Sequence, residues 1–176
     1  MRATAPLRHA PAMSTRSAGL LLYRRTPGLE VLLAHPGGPL HARKDVWTVP
    51  KGEYGDEEEP LSAAYREYAE EIGHTAPPGR PLALGEVTQK SGKRVLAWAV
   101  EGDLDPADVR SNTFGMQWQG RWQEFPEIDR AQWFDVETAA MKIMPAQEPF
   151  LSRLEALLSP HLRDVWRHTW PRPRQR

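Results

Sequence analysis

The sequence contains no cysteine. That absence removes disulfides, thiol nucleophiles and cysteine-ligated zinc or iron–sulfur sites together, and it suits a cytoplasmic setting. Net charge is also missing, because 23 Lys and Arg balance 23 Asp and Glu. Nothing global therefore draws the chain to a nucleic acid or a membrane, and any electrostatic function must come from local clustering. Long apolar runs are absent too: the longest, residues 18–23, falls far short of the roughly 20 residues that span a bilayer. At 176 residues and 40% hydrophobic composition, the chain can bury one ordinary core but not two.

The expected organisation is a single domain over residues 17–168 between two disordered tails. Residues 1–16 carry Arg2, Arg8 and Arg16 without an acid and include Pro6 and Pro11, the composition of an unstructured extension. Residues 169–176 are basic and proline-containing. Between them, 17–25 and 29–35 are apolar runs around Thr26-Pro27-Gly28, which predicts a β-hairpin. Residues 46–50, 82–87, 94–101 and 131–134 are further strand candidates. Residues 60–72 form the clearest helix, with Pro60 in its first turn, Gly73 as its stop, and Leu61, Tyr65, Tyr68 and Ile72 as a core-facing stripe. Helices are also predicted over 136–143, 148–158 and 161–168. The long stretch 102–130 between strands is read as a loop of a length that is usually functional or disordered.

The 60–72 helix carries Glu67, Glu70 and Glu71 on one side, at spacings where like charges repel. A solvated acidic face with an Arg66–Glu70 pair would account for them in isolation. The surroundings argue for more, because Gly52, Glu58, Arg66, Glu67, Glu70, Glu71 and Gly73 stand in a fixed pattern across a loop and a helix. A hard divalent cation is the natural partner of such acids, and magnesium in particular prefers oxygen ligands and bridges to phosphates.

These seven positions fill the polar and glycine slots of the Nudix box, so the chain resembles the Nudix hydrolase family. Tyr68 and His74 stand where the family usually has aliphatic residues, and Glu57 where glycine is frequent. The resemblance implies an α/β fold, an α/β/α sandwich with a mixed central sheet. It also implies that Glu67, Glu70 and Glu71, with the carbonyl of Gly52, ligate Mg2+ or Mn2+. Arg66 would orient the carboxylates, Glu58 would anchor the loop, and the reaction would be hydrolysis of a diphosphate linkage. Relatives take the general base either from the first helix glutamate or from a glutamate outside the box. Outside it, Phe125-Pro126-Glu127 makes Glu127 a fourth acidic candidate for metal and catalysis. An ordinary loop glutamate is the other reading, with Glu124 and Asp129 as alternatives.

The partner implied is a small molecule containing a diphosphate. Trp47-Thr48-Val49-Pro50-Lys51-Gly52 resembles the entry to the box in dinucleoside tetraphosphate hydrolases, and Lys51 is a phosphate-contact candidate. Arg43, Lys44 and Lys90, together with Lys93 and Arg94, add positive charge on segments expected to flank the same cleft. Trp118 and Trp122 are candidates for stacking a nucleobase. The whole-chain pattern also resembles bacterial nucleoside triphosphate pyrophosphohydrolases, a description that names no single substrate. Dinucleoside polyphosphates lead the expectation, ahead of nucleoside triphosphates (oxidised ones included), nucleotide sugars and inositol pyrophosphates. The competing classes are a nucleotide-binding regulator without turnover and an interaction protein using residues 118–122. The arginines near the C-terminus, with Trp166 and Trp170, fit a solvated tail better than an RNA contact.

Overall fold

A computed structural model describes residues 15–159. The predicted extension before residue 15, the predicted helix at 161–168 and the basic tail lie outside the described residues.

A six-stranded mixed sheet forms the centre of the fold. The hairpin read from the sequence is present as β1 (Arg16–Arg24) and β2 (Glu30–Pro36), antiparallel through Leu22↔Leu32. Toward its start β1 pairs instead with the short β3 (Lys51–Glu53), through Ser17↔Glu53 and Gly19↔Lys51. Its other edge lies parallel to β5 (Arg94–Glu101), which turns back antiparallel to β4 (Leu82–Thr88). The outer edge beyond β2 is β8 (Ile128–Asp135).

Central strands are buried on both faces, which is why β1 reads as a continuous apolar run rather than an alternating one. Leu20 and Leu22 point to one face, with Ala63, Ala64, Tyr68 and Ile72 of α1 (Pro60–Ile72). Leu21 and Tyr23 point to the other, where Phe150, Leu151 and Leu154 of α3 (Glu148–Leu158) and Ala139 of α2 (Val136–Lys142) cover them. The result is the expected α/β/α sandwich. Within α1 the buried face is centred on Ala63, Ala64, Tyr68 and Ile72, whereas Leu61 and Tyr65 are only half-buried.

Two expectations need correction. Residues 46–50 are not a strand: Trp47 and Thr48 make single bridges to Ile143 and Ala34. The Val49 N–H donates to the buried side chain of Gln147 at 2.9 Å. Pro50 has no N–H to continue a ladder, so the strand proper starts at Lys51. The stretch 102–130 is not a single loop either. It contains a 3-10 turn (Pro106–Asp108) and a separate two-stranded arm, β6 (Thr113–Trp118) and β7 (Arg121–Pro126). Gln119 and Gly120 turn this arm with φ values of 49° and 75°, the backbone of a tight two-residue hairpin. Glutamine there, in place of the usual Asn or Asp, masks the turn in the sequence.

The carboxylate helix is held at both ends. The Glu59 side chain accepts from the Ser62 N–H at 2.7 Å and Pro60 opens the first turn. At the other end Gly73 is left-handed (φ 81°), and a Cβ there would lie 2.3 Å from the Arg110 carbonyl. The freed helix carbonyls are taken up by the incoming chain, since Arg110 N–H donates to Ile72 and Asn112 N–H to Glu70. Phe150 is fully buried between α3 and the sheet. Phe150→Ala is expected to lower the unfolding free energy by about 3–5 kcal/mol in chemical denaturation, without loss of the fold.

Candidate active site

Gly52 and Glu67 fit together as one unit. The Glu67 carboxylate lies so close over the Gly52 backbone that a Cβ there would come within 1.7 Å of Glu67 Oε2. No other residue fits at position 52 unless Glu67 moves. Arg66 then ties three acids to one guanidinium. Its Nε and Nη2 donate to the two oxygens of Glu58 at 2.8 Å each, a bidentate pair. Its Nη1 reaches Glu67 at 2.6 Å and Glu70 at 3.2 Å. These contacts, Glu58 first, raise the Arg66 pKa above the ordinary arginine range and leave it a permanent cation.

Glu71, one helical turn beyond Glu67, reaches the start of β3, where its Oε2 accepts the Lys51 N–H at 2.8 Å. Burial pushes the Glu71 carboxyl up to about 7; Lys51 opposes the rise, while Glu127 and Glu67 add to it. Lys51 is pulled the other way, its ammonium lowered chiefly by burial and also by Lys93, against the attraction of Glu71, Glu67 and Glu53.

Glu127, from the junction of β7 and β8, joins this group although it lies far away in the chain. Its carboxyl is raised by burial and then by Glu67 and Glu70, and it adds in turn to the rise at Glu71. Main-chain bonds fix its place: Glu127 N–H donates to the Asn112 carbonyl, and its own carbonyl accepts from Gly37 N–H, both at 2.8 Å. Asn112, Arg110 and Gly37 were not singled out in the sequence. They act through the backbone, where side-chain type gives no signal.

The other candidates are more scattered. Lys90 is exposed in the β4–β5 turn, and Lys93 is the one that reaches the site's edge, 2.9 Å from Glu53. Arg43 and Lys44 line a separate cleft that shares no residue with the acids. Trp118 and Trp122 lie on opposite faces of the arm, because Trp122 pairs with Gln117. Trp122 is 70% exposed and folds over Gly115, whereas Trp118 shares the half-buried face with Phe114 and Phe125. The two indoles cannot sandwich one base.

Whether these acids suit a cation can be judged from their chemistry. Gly52, Glu67, Glu70, Glu71 and Glu127 offer oxygen donors only, and the Glu71 and Glu127 carboxyls are pushed up by burial first and by neighbouring acids second, the disposition of a hard divalent ion site. Among the described residues no three acids close around one point. Glu67 and Glu70 are instead turned to the guanidinium of Arg66. The donor set fits such an ion, with Arg66 holding the charge balance.

The fold and this acid-lined helix match a family in which curated relatives of this chain are named as a phosphatase and a pyrophosphohydrolase. A model of the NUDIX domain matches residues 13–154, and the chain belongs to that family, whose enzymes generally work with divalent metal ions. It is 34% identical over 138 residues to an 8-oxo-(d)GTP phosphatase of Mycolicibacterium smegmatis, a match covering 72% of this chain. The chain spans only 36% of that relative's length. An RNA pyrophosphohydrolase of Rhodospirillum rubrum is 29% identical over 165 residues, covering 81% of this chain and 91% of that one. Among solved structures, a binary complex of the C. elegans Ap4A hydrolase superposes with a TM-score of 0.61 at 24% identity, over 81% of this chain and 97% of the other, a likeness of fold.

The raised Glu71 pKa has a thermodynamic sign. The folded protein binds this proton more tightly than the unfolded chain, so its contribution is fully present below about 4.5 and is lost as pH rises through about 7. In the metal-free protein, Glu71→Gln is expected to flatten the fall of Tm across that window. An unchanged pH profile in thermal melts would show that Glu71 is not desolvated.

Proposed function

We propose that the protein is a magnesium-dependent pyrophosphohydrolase that cleaves a diphosphate linkage in a nucleoside polyphosphate, a dinucleoside polyphosphate by preference. The observation that carries this reading is the Glu67 carboxylate seated over the Gly52 backbone and tied with Glu70 to Arg66, with Glu71 bound to the neighbouring Lys51 N–H. Acids gathered against their own repulsion serve a cation, and a cation among carboxylates beside a lysine suits a phosphate chain.

In this reading Gly52, Glu67, Glu70, Glu71 and Glu127 hold the ion, Mg2+ in the first place and Mn2+ as a substitute. The bound ion supplies charge neutralisation for the diphosphate and acidifies water for attack at phosphorus. Arg66 keeps Glu67 and Glu70 in place, and Glu58 in turn keeps Arg66. Lys51, whose backbone is tied to Glu71, meets a phosphate oxygen. Trp118 and Trp122, one on each face of the arm, offer stacking surfaces for separate bases, which suits a substrate carrying two nucleosides. The Lys51-Gly52 entry to the box supports the same preference. The mycobacterial relative's name favours an oxidised nucleoside triphosphate as the second reading.

The base that takes the proton from water is either Glu67 or Glu127. Glu67→Gln and Glu127→Gln compared in pH–rate profiles separate them, since only loss of the base removes the acidic limb. Glu70→Gln is expected to cut kcat by about 100-fold or more with an unchanged Tm, measured with magnesium on dinucleoside polyphosphates, nucleoside triphosphates, nucleotide sugars and inositol pyrophosphates. Absence of metal-dependent turnover on the whole panel would leave a nucleotide-binding regulator as the answer. A preference for nucleoside triphosphates would overturn the dinucleoside assignment alone.

A further inference from the structure

The acidic site leaves a group of cations unexplained. Arg43, Lys44, Arg130 and Lys142 rim a cleft of about 380 Å3 at the edge strand β8, on a floor that includes Trp47 and Phe134. They come from three segments: the loop after β2, β8 itself and the end of α2.

The floor is rigid. Trp47 and Phe134 are buried and meet edge to face at 4.9 Å. The Trp47 N–H donates to the Lys142 carbonyl at 2.9 Å and its carbonyl accepts from Met144 at 2.8 Å, so floor and Lys142 are one piece. The loop is pinned as well. His35 is fully buried, and its Nε2 donates to the Lys44 carbonyl at 2.6 Å, since a carbonyl can only accept. Its Nδ1 lies 2.7 Å from Asp129 Oδ1 on β8. The backbone from which Arg43 and Lys44 project is thereby fastened to the strand that carries Arg130.

Charge in the cleft is not balanced. Asp45, its one acid, commits Oδ2 to Lys142 and Oδ1 to Trp47 Nε1, contacts that hold its carboxyl below the usual range. Arg130 lies with its guanidinium 5.5 Å from the centre of the Trp47 ring. Its nearest acid is Asp129 at 3.9 Å, and that carboxylate is already engaged by His35. Among the described residues neither Arg43 nor Lys44 forms an ion pair. Cations placed together above a low-dielectric floor repel one another, and a multiply charged anion relieves that repulsion. Guanidinium groups match phosphate oxygens in particular.

We infer that this cleft is a second anion site, separate from the carboxylate cluster, and that it takes a compact polyphosphate group. The cations ring a small concave space and do not form a stripe, which favours a short phosphate chain over a nucleic-acid backbone. No metal is needed there, so the site can be read without turnover.

The test is calorimetric titration of the full chain in EDTA with inorganic tripolyphosphate, and in parallel with a single-stranded oligonucleotide bearing a 5′-hydroxyl. One tripolyphosphate per chain is expected. Its Kd should rise about tenfold or more in Arg43→Gln/Arg130→Gln, and hold in Glu67→Gln/Glu70→Gln. Circular dichroism of the arginine variant checks that the fold is kept, and the single variants Arg43→Gln and Arg130→Gln give partial losses if it is not. No tripolyphosphate binding, binding that the arginine variants retain, or tighter binding of the oligonucleotide would each overturn the assignment. None of these outcomes bears on metal-dependent hydrolysis, which fails or stands on the substrate panel.

Discussion

Carboxylates do not gather unaided, and the guanidinium of Arg66 is what lets them do so here. It takes both oxygens of Glu58 in the loop and one each from Glu67 and Glu70 on α1. Because the pairing with Glu58 uses the planar fork of the guanidinium, lysine at this position would keep the charge and lose the geometry. The loop that brings Gly52 under Glu67 is therefore tied to α1 by the same side chain that offsets the acids. Glu71 and Glu127 lie outside that pairing, and burial before any other cause pushes both toward the protonated form.

Much of the scaffold was legible because its signals are periodic. The capped helix at 60–72, with Pro60 in its first turn and Gly73 as its stop, was visible, as were the β1–β2 hairpin and the doubly buried strand at 94–101. The glycine-and-acid spacing from Gly52 to Gly73 carries the family signature by itself. The inward face of α1 is legible in part, through Tyr68 and Ile72, and the rest is hidden for a physical reason. Ala63 and Ala64 lie where the helix comes closest to the sheet, and small residues at such a contact carry little hydrophobic signal, whereas Leu61 and Tyr65 carry a strong one and sit at its margin.

The site was legible only in part. Box acids on one helix turn announce themselves by spacing, but Glu127 was one of several acids in a stretch without recognised structure. Its proximity to α1 depends on backbone bonds that no side-chain pattern encodes. The arm at 113–126 was missed because its turn residues are Gln119-Gly120 and its strands are polar on the outer face. Arg43 and Lys44 were grouped with Lys51 on charge alone. Strand order assigns them elsewhere, since β2 and β8 pair at the sheet edge and carry the loop toward α2.

The main chain joins the parts of the site in series. Gly37 donates to the carbonyl of Glu127, Glu127 to that of Asn112, and Asn112 to that of Glu70. Three segments far apart in sequence are thus stitched by bonds that any amino acid except proline can make. Such wiring separates the address of each functional residue from its identity. Side chains along the arm can therefore change while the backbone keeps Glu127 at the same address beside the end of α1.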